Sequence, residues 1–248
     1  MKRVKTRTDS GAVCEIRIYN VADNCDIRPP KPRIRFRDEA EREAHRVGIS
    51  RRRHARLFNA NFGPTSYYGT LTFDNEYEVH TFSEARQVRD NYIKRLRYHA
   101  PNARIMIYMG RGKSTSRIHF HIVADGIPRD LLIKLWGMGE VVRVEPLREH
   151  NYYDGVDHGQ DYTGLANYLF DHWSPEQGGK RRWKQTANLR QPTASKPVEL
   201  KREYNEHKPP RTPKGYILVE TAKTPYGYYY YKYVKQPGPH KRRKSAAR

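Results

Sequence analysis

The heptapeptide Arg117-Ile118-His119-Phe120-His121-Ile122-Val123 constrains this chain more than any other stretch. Side chains in a strand alternate between its two faces. The segment therefore predicts a strand with Ile118, Phe120 and Ile122 turned into a core and His119 and His121 side by side on the other face. Two neutral imidazoles so placed are ready to chelate a divalent cation. In a chain with 11 histidines the tripeptide alone is a weak signal. A pair of strand histidines making ordinary hydrogen bonds is the other reading.

The surroundings of this segment predict its partners. Tyr67-Tyr68-Gly69-Thr70-Leu71-Thr72-Phe73 is dense in aromatic and β-branched residues and stops at Asp74-Asn75, a strand signature. Arg104–Met109 and Ile118–Ala124 read as strands joined through the loop 110–116 as a hairpin. Val141–Val144 is a further strand, and Tyr216–Thr221 with Tyr228–Val234 reads as a second hairpin. Helices are expected at about 38–58, from Phe82 to about His99 with Ser83 as N-cap and Pro101 beyond its end, from Pro128 to Trp136-Gly137, and from Tyr162 to about Trp173. The sum is an α+β fold, an antiparallel sheet with flanking helices.

Composition sets the domain plan and the class of partner. Only 36% of the 248 residues are apolar, a lean core that fits one compact domain with basic extensions. The expected organisation is a basic N-terminal arm with one helix over 1–60, a domain over 61–192, a C-terminal segment with the β-hairpin over 193–236, and a basic, disordered tail over 237–248. Lys and Arg number 48 against 27 acids, a net charge of +21, which answers a polyanion, most often nucleic acid. Arg51, Arg52, Arg53, Lys113, Arg117, Lys180, Arg181, Arg182 and Lys184 are the candidate DNA-binding side chains. No apolar run is long enough to span a membrane. The lysine-rich start carries no apolar segment behind it, and the two cysteines build no disulfide framework, so a cytoplasmic setting is expected. Gly110–Gly112 with Lys113 is too short for a phosphate-binding loop, and no Walker motif occurs.

A second chemical signal is Asp161-Tyr162-Thr163-Gly164-Leu165-Ala166-Asn167-Tyr168-Leu169-Phe170-Asp171-His172-Trp173. On a helix, Leu165, Leu169 and Phe170 can pack while Tyr168 projects to another face, which His172 shares four residues on. A tyrosine beside a cation ligand suits attack on phosphate, because a phenol near neutral pH needs a polarised, aligned target. One more amphipathic aromatic among 19 tyrosines is the other reading of Tyr168. The hydroxyls of Thr70 and Thr72 share a face of their strand. The loop from Asn151 to His158 holds acids and a histidine without an EF-hand spacing.

Taken in order, a Thr-Leu-Thr strand, a His-Phe-His strand and a helical tyrosine are the motif order of HUH endonucleases. Over about residues 67–192 the chain resembles the rolling-circle replication initiators of plasmids and phages, particularly those grouped with filamentous-phage gene II protein. Tyr68–Phe73, Arg117–Val123, Leu135–Pro146, Tyr162–Phe170 and Lys180–Leu189 carry the resemblance. It implies an antiparallel, RRM-like sheet whose central strand bears the metal ligands His119 and His121, with Tyr168 as nucleophile and Mg2+ or Mn2+ as cofactor. It implies single-stranded or hairpin origin DNA as substrate, nicked and rejoined through a 5′-phosphotyrosine, and a host helicase and polymerase as partners.

Two departures from the family pattern matter. Asp171 stands where many relatives have lysine, and Met109-Gly110-Arg111 offers no carboxylate where many have a glutamate ligand. The third ligand is assigned to His172, about 40° around the helix from Tyr168. Asp171, about 60° the other way, and water are its competitors, and packing or capping at the helix end is the alternative role for His172. A relaxase or single-strand transposase with the same chemistry, and a non-catalytic basic nucleic-acid-binding regulator, are the rival functions.

Overall fold

The structure, a computed structural model, describes residues 2–22, 36–112, 115–139, 142–178, 181–205, 207–224 and 227–236. The Pro-rich stretch 28–33, Lys113, Lys180 and the basic tail 237–248 lie outside the described residues. The chain runs β1 (Lys2–Ser10), β2 (Val13–Val21), α1 (Glu39–Asn61), β3 (Tyr67–Leu71), α2 (Phe82–His99), β4 (Arg104–Arg111), β5 (Ile118–Asp125), α3 (Arg129–Trp136) and β6 (Val142–Pro146). There follow β7 (Tyr152–Tyr153), β8 (Val156–Asp157), α4 (Thr163–Asp171), β9 (Lys184–Gln185), β10 (Thr193–Ala194), β11 (Val198–Glu199), β12 (Tyr216–Lys223) and β13 (Tyr229–Lys235). This is a mixed α+β chain with antiparallel sheets. It divides into two compact units, Ile34–Arg148 with Tyr162–Pro192, and Met1–Arg33 with Glu149–Asp161 and Thr193–Arg248.

In the first unit five antiparallel strands take the order β6-β3-β5-β4-β9. The register sets Thr70 and Tyr108 on either side of His121, and Gly110 opposite His119. Ile118, Phe120 and Ile122 join Ile105, Ile107, Leu71 and Val144 on one face. That face is covered by Ala85, Tyr92 and Leu96 of α2 and Leu132 and Trp136 of α3. On the other face Met106, Tyr108 and Val123 pack with Ala55 and Phe58 of α1 and Ala166 and Leu169 of α4. Each large apolar side chain fully buried in this way contributes about 1.5–3 kcal/mol. Helices thus cover both faces, and the two histidines lie on the face that α1 and α4 share.

The local signals in this unit are partly other than expected. α2 is capped by Thr81, not Ser83: Thr81 Oγ1 accepts from Glu84 N at 3.2 Å while the Glu84 carboxylate accepts from Thr81 N at 3.1 Å. This reciprocal pair is a capping box, and it starts the helix at Phe82. α1 runs to Asn61 and packs on the site sheet through a stripe of apolar side chains. The expected arm is thereby divided, because α1 falls within the first unit.

The second unit corrects the N-terminal arm more strongly. Residues 2–21 are a hairpin, not an arm, and they pair with the C-terminal hairpin in a sheet of order β10-β1-β2-β13-β12, with β11 also on β1. In β1, Val4, Thr6, Thr8 and Ser10 are buried while Lys5, Arg7 and Asp9 between them are half-exposed. The basic residues at alternate positions give the segment its charged look, and the period of two beneath them is a strand pattern. Gly11, at φ +60°, makes the turn. β2 supplies Cys14, Ile16 and Ile18, which lie opposite Tyr233, Tyr231 and Tyr229 of β13. Loop residues 151–160 contain the short β7–β8 ribbon, tied by His150 Nδ1 to Asp157 Oδ2 at 2.7 Å.

Candidate metal centre

His119 and His121 project from one face of β5, as their spacing requires, and His172 reaches them from the C-cap position of α4. One nitrogen from each of the three rings lies within 4.8 Å of the others, and this trio could hold a metal ion. The Nε2 atoms of His119 and His121 are 3.2 Å apart. That spacing suits two imidazole nitrogens each about 2.1 Å from a shared cation. The ring centroids of His121 and His172 are 4.5 Å apart at 87°.

Hydrogen bonds orient each ring. Nδ1 of His172 lies 3.0 Å from the carbonyl oxygen of Tyr168. A carbonyl only accepts, so Nδ1 carries the proton and the Nε2 lone pair is left for a cation. Nδ1 of His121 lies 3.0 Å from Tyr68 Oη and 3.1 Å from Thr70 Oγ1. Either hydroxyl can accept Nδ1–H, which again turns Nε2 toward the cluster. The Tyr68 ring also stacks on His121 at 19°. Burial raises the Tyr68 phenol, the Thr70 hydrogen bond opposes the rise and the nearby Tyr168 adds to it, so Tyr68 keeps its proton at neutral pH.

Burial keeps the two strand histidines neutral. It pushes His121 down to about 3, with His119 and His172 nearby adding to the fall. It also lowers His119, against a hydrogen bond to the backbone of Arg117, with His172 adding to the fall. A neutral imidazole is the form that donates a lone pair to a metal.

Gly110 leaves room for the rings. A Cβ at this position would lie 2.9 Å from His119 Nε2 and 3.0 Å from His172 Cδ2. The imidazoles fill the space that a β4 side chain would need. Asp171, the competing ligand, is spent elsewhere: both its carboxylate oxygens accept from Arg51.

Tyr168 stands beside the cluster and half-open to solvent, at 51% exposure. Its ring centroid is 4.3 Å from that of His172 and 5.9 Å from that of His121. Tyr162 is structural. It is buried, its hydroxyl donates to Arg148 O at 2.7 Å and its backbone N donates to Asn59 Oδ1 at 2.9 Å. Thr70 is beside His121, whereas Thr72 lies past the end of β3, where its carbonyl accepts from Trp136 Nε1 at 2.8 Å.

The basic candidates separate into groups. Arg181, Arg182 and Lys184 line one pocket of about 460 Å³ with Ser50 and Trp183. Arg182 lies over the rings of Phe170 and Trp173, at 4.4 and 4.5 Å from their centroids. Arg51 is paired with Asp171, and Arg117 with Glu78 at 3.1 Å and with the Phe73 carbonyl at 2.7 Å. Arg52 and Arg53 are exposed on α1. Sequence reasoning missed Tyr68 and Gly110. The period-two rule could have found Tyr68, which shares a face with Thr70, but Gly110 has no side chain to signal with. A scan against protein-family models and searches of curated proteins and of solved structures found no match.

Proposed function

We propose that this chain is a metal-dependent single-strand DNA endonuclease and strand transferase of the HUH type, acting as a rolling-circle replication initiator. The observation that carries the reading is the half-exposed Tyr168 set against the three-imidazole cluster of His119, His121 and His172. A divalent cation, Mg2+ or Mn2+, would supply Lewis-acid polarisation of the scissile phosphate when bound there. His119, His121 and His172 would hold it, with Tyr68, Thr70 and the Tyr168 carbonyl fixing the ring orientations.

In the reaction the Tyr168 oxygen forms a bond to phosphorus as the bond from phosphorus to the 3′ oxygen breaks. The phenolic proton leaves to water at the open edge, and the departing 3′ oxygen takes up a proton. The product is a 5′-phosphotyrosine and a free 3′-OH, from which a host polymerase can extend behind a host helicase. The phosphodiester is conserved in the covalent link, so a later 3′-OH can reverse the step and rejoin the strand. A net charge of +21 and the basic pocket beside Trp183 suit phosphate contacts with a single strand and base stacking. The setting this reading implies is the cytoplasm of a bacterial host.

The test is incubation with labelled single-stranded DNA and manganese, followed by denaturing electrophoresis. A protein–DNA band is expected with the parent. Tyr168→Phe and the double variant His119→Ala, His121→Ala are expected to lose it by about a thousandfold or more, while salt-sensitive DNA binding persists. Binding with a steep salt dependence and no band in the parent would mark a non-catalytic nucleic-acid-binding regulator instead.

A further inference from the structure

A groove of about 650 Å³ opens from the cation cluster along the end of β3 and the start of β5. Its volume is within the about 300–1,000 Å³ of sites that enclose small organic groups. Thr70 and His119 form the end nearest the cluster, and Thr72, Asp74, Asn75 and Thr115 line the walls over the buried Phe73 and Ile118. Among the described residues the groove contains one cationic side chain, Arg117, and its guanidinium is already held by Glu78 and the Phe73 carbonyl. Its other polar groups among the described residues are the His119 imidazole, three hydroxyls, one amide and one carboxylate. A carboxylate repels phosphate, but it accepts readily from an exocyclic amino group. An amide and hydroxyls satisfy the remaining donors and acceptors of a base edge.

We propose that this groove is a base-reading pocket, which takes one amino-bearing nucleobase of the DNA strand next to the scissile phosphate and so sets the sequence at the nick. This rests on the strand-transferase reading for the identity of the strand, and it assigns Asp74 and Asn75 as specificity residues. Asp74 accepts from the amino group, Asn75 meets a neighbouring ring position, and the apolar floor supports the base plane. Phosphate contacts are left to the separate basic pocket at Arg181, Arg182 and Lys184, consistent with the division between contacts that position a strand and contacts that specify its sequence.

The experiment uses a randomised single-stranded DNA library with the full chain. One pool is selected for non-covalent retention in a chelator, and a second for covalent attachment in manganese. Asp74→Asn and Asn75→Ala are run beside the parent, and thermal denaturation verifies their fold; Asn75 is exposed, so its replacement spares the core. The expected result is that the parent prefers an amino-bearing base at one position and that each variant loses about tenfold of that preference there alone, in both pools. A parent without a base preference, or variants that keep the parent's preference at every position, overturns the pocket. If the retained pool shows the loss at one position while no covalent pool forms, the strand-transferase reading fails and the pocket stands.

Discussion

The two larger sheets among the described residues carry buried polar side chains, and they treat them in opposite ways. Around the sheet of β1, β2, β12 and β13, buried charged groups are met by a complementary partner. Lys232 and Asp161, at 9% and 3% side-chain exposure, lie 2.5 Å apart, and Tyr230 donates to Glu15 at 2.8 Å. In the sheet built around β5, three like groups converge: the rings of His119, His121 and His172 face one another, and hydroxyl or carbonyl oxygens hold their outer nitrogens. Polar groups that neutralise one another belong to structure. Lone pairs that point at one another need a cation or a proton between them, and burial disfavours the proton. Burial of polar groups does not by itself identify a site; the identifying feature is donors aimed at one point.

This contrast can be broken from either side. The largest effect is expected in the paired sheet. Lys232→Met removes a buried charge that pairs with Asp161 and should cost about 3–5 kcal/mol in chemical denaturation. Adding Asp161→Leu should recover most of that loss. If the single variant unfolds at the parent's denaturant midpoint, the ion pair does not stabilise this unit.

The next effect concerns acid and the unit that carries the site. His54 of α1 is buried against Tyr108, with Nε2 2.8 Å from the phenol oxygen, and burial pushes it down to about 3, the nearby Asp171 only partly opposing the fall. The unfolded chain takes up this proton near pH 6.5 and the folded chain does not until about 3. Stability from this group is therefore complete above pH 6.5 and is lost progressively as the pH falls toward 3. The loss should reach no more than about 3 kcal/mol at pH 4. A His54→Phe variant should show a shallower acid slope in denaturation midpoints from pH 7 to 4, and an unchanged slope would exclude His54 as a source of it.

The smallest effect sharpens the site itself. His172→Ala should weaken manganese binding by about 10–100-fold in a calorimetric titration. Gly110→Ala should weaken it too, because its Cβ would collide with His119 and His172. Asp171→Ala should leave it unchanged, since that carboxylate is held by Arg51. Equal affinity in His172→Ala and the parent would reduce the centre to the two strand histidines.

How far the sequence reached depends on how local each signal is. The alternation in Ile118–Val123 needs only neighbouring residues, so both faces of β5 were legible; α2 was legible from its helical spacing, and α3 from Pro128 at its start and Gly137 at its end. The cap lies two residues before Ser83, because Thr81 has Glu84 at the third helical position to close a capping box whereas Ser83 would have Arg86 there. The hairpin of β1 and β2 was hidden because its partner β13 lies at the far end of the chain, and Lys5 and Arg7 mask its period of two. Tyr68 and Gly110 went unread because their roles are relations to rings on other strands and on α4.

The sequence by itself determined that His119 and His121 share one side of a strand, that Tyr168 and His172 share one side of a helix, and that the chain carries a net charge of +21. These follow from backbone periods and from charge, which are properties of short segments. Only the tertiary structure decided that the two sides meet, that Gly110 leaves room for the imidazoles, that Asp171 turns to Arg51, and that the basic N-terminal residues form sheet. Those outcomes depend on which surfaces bury one another, and close packing settles that between segments far apart in the chain.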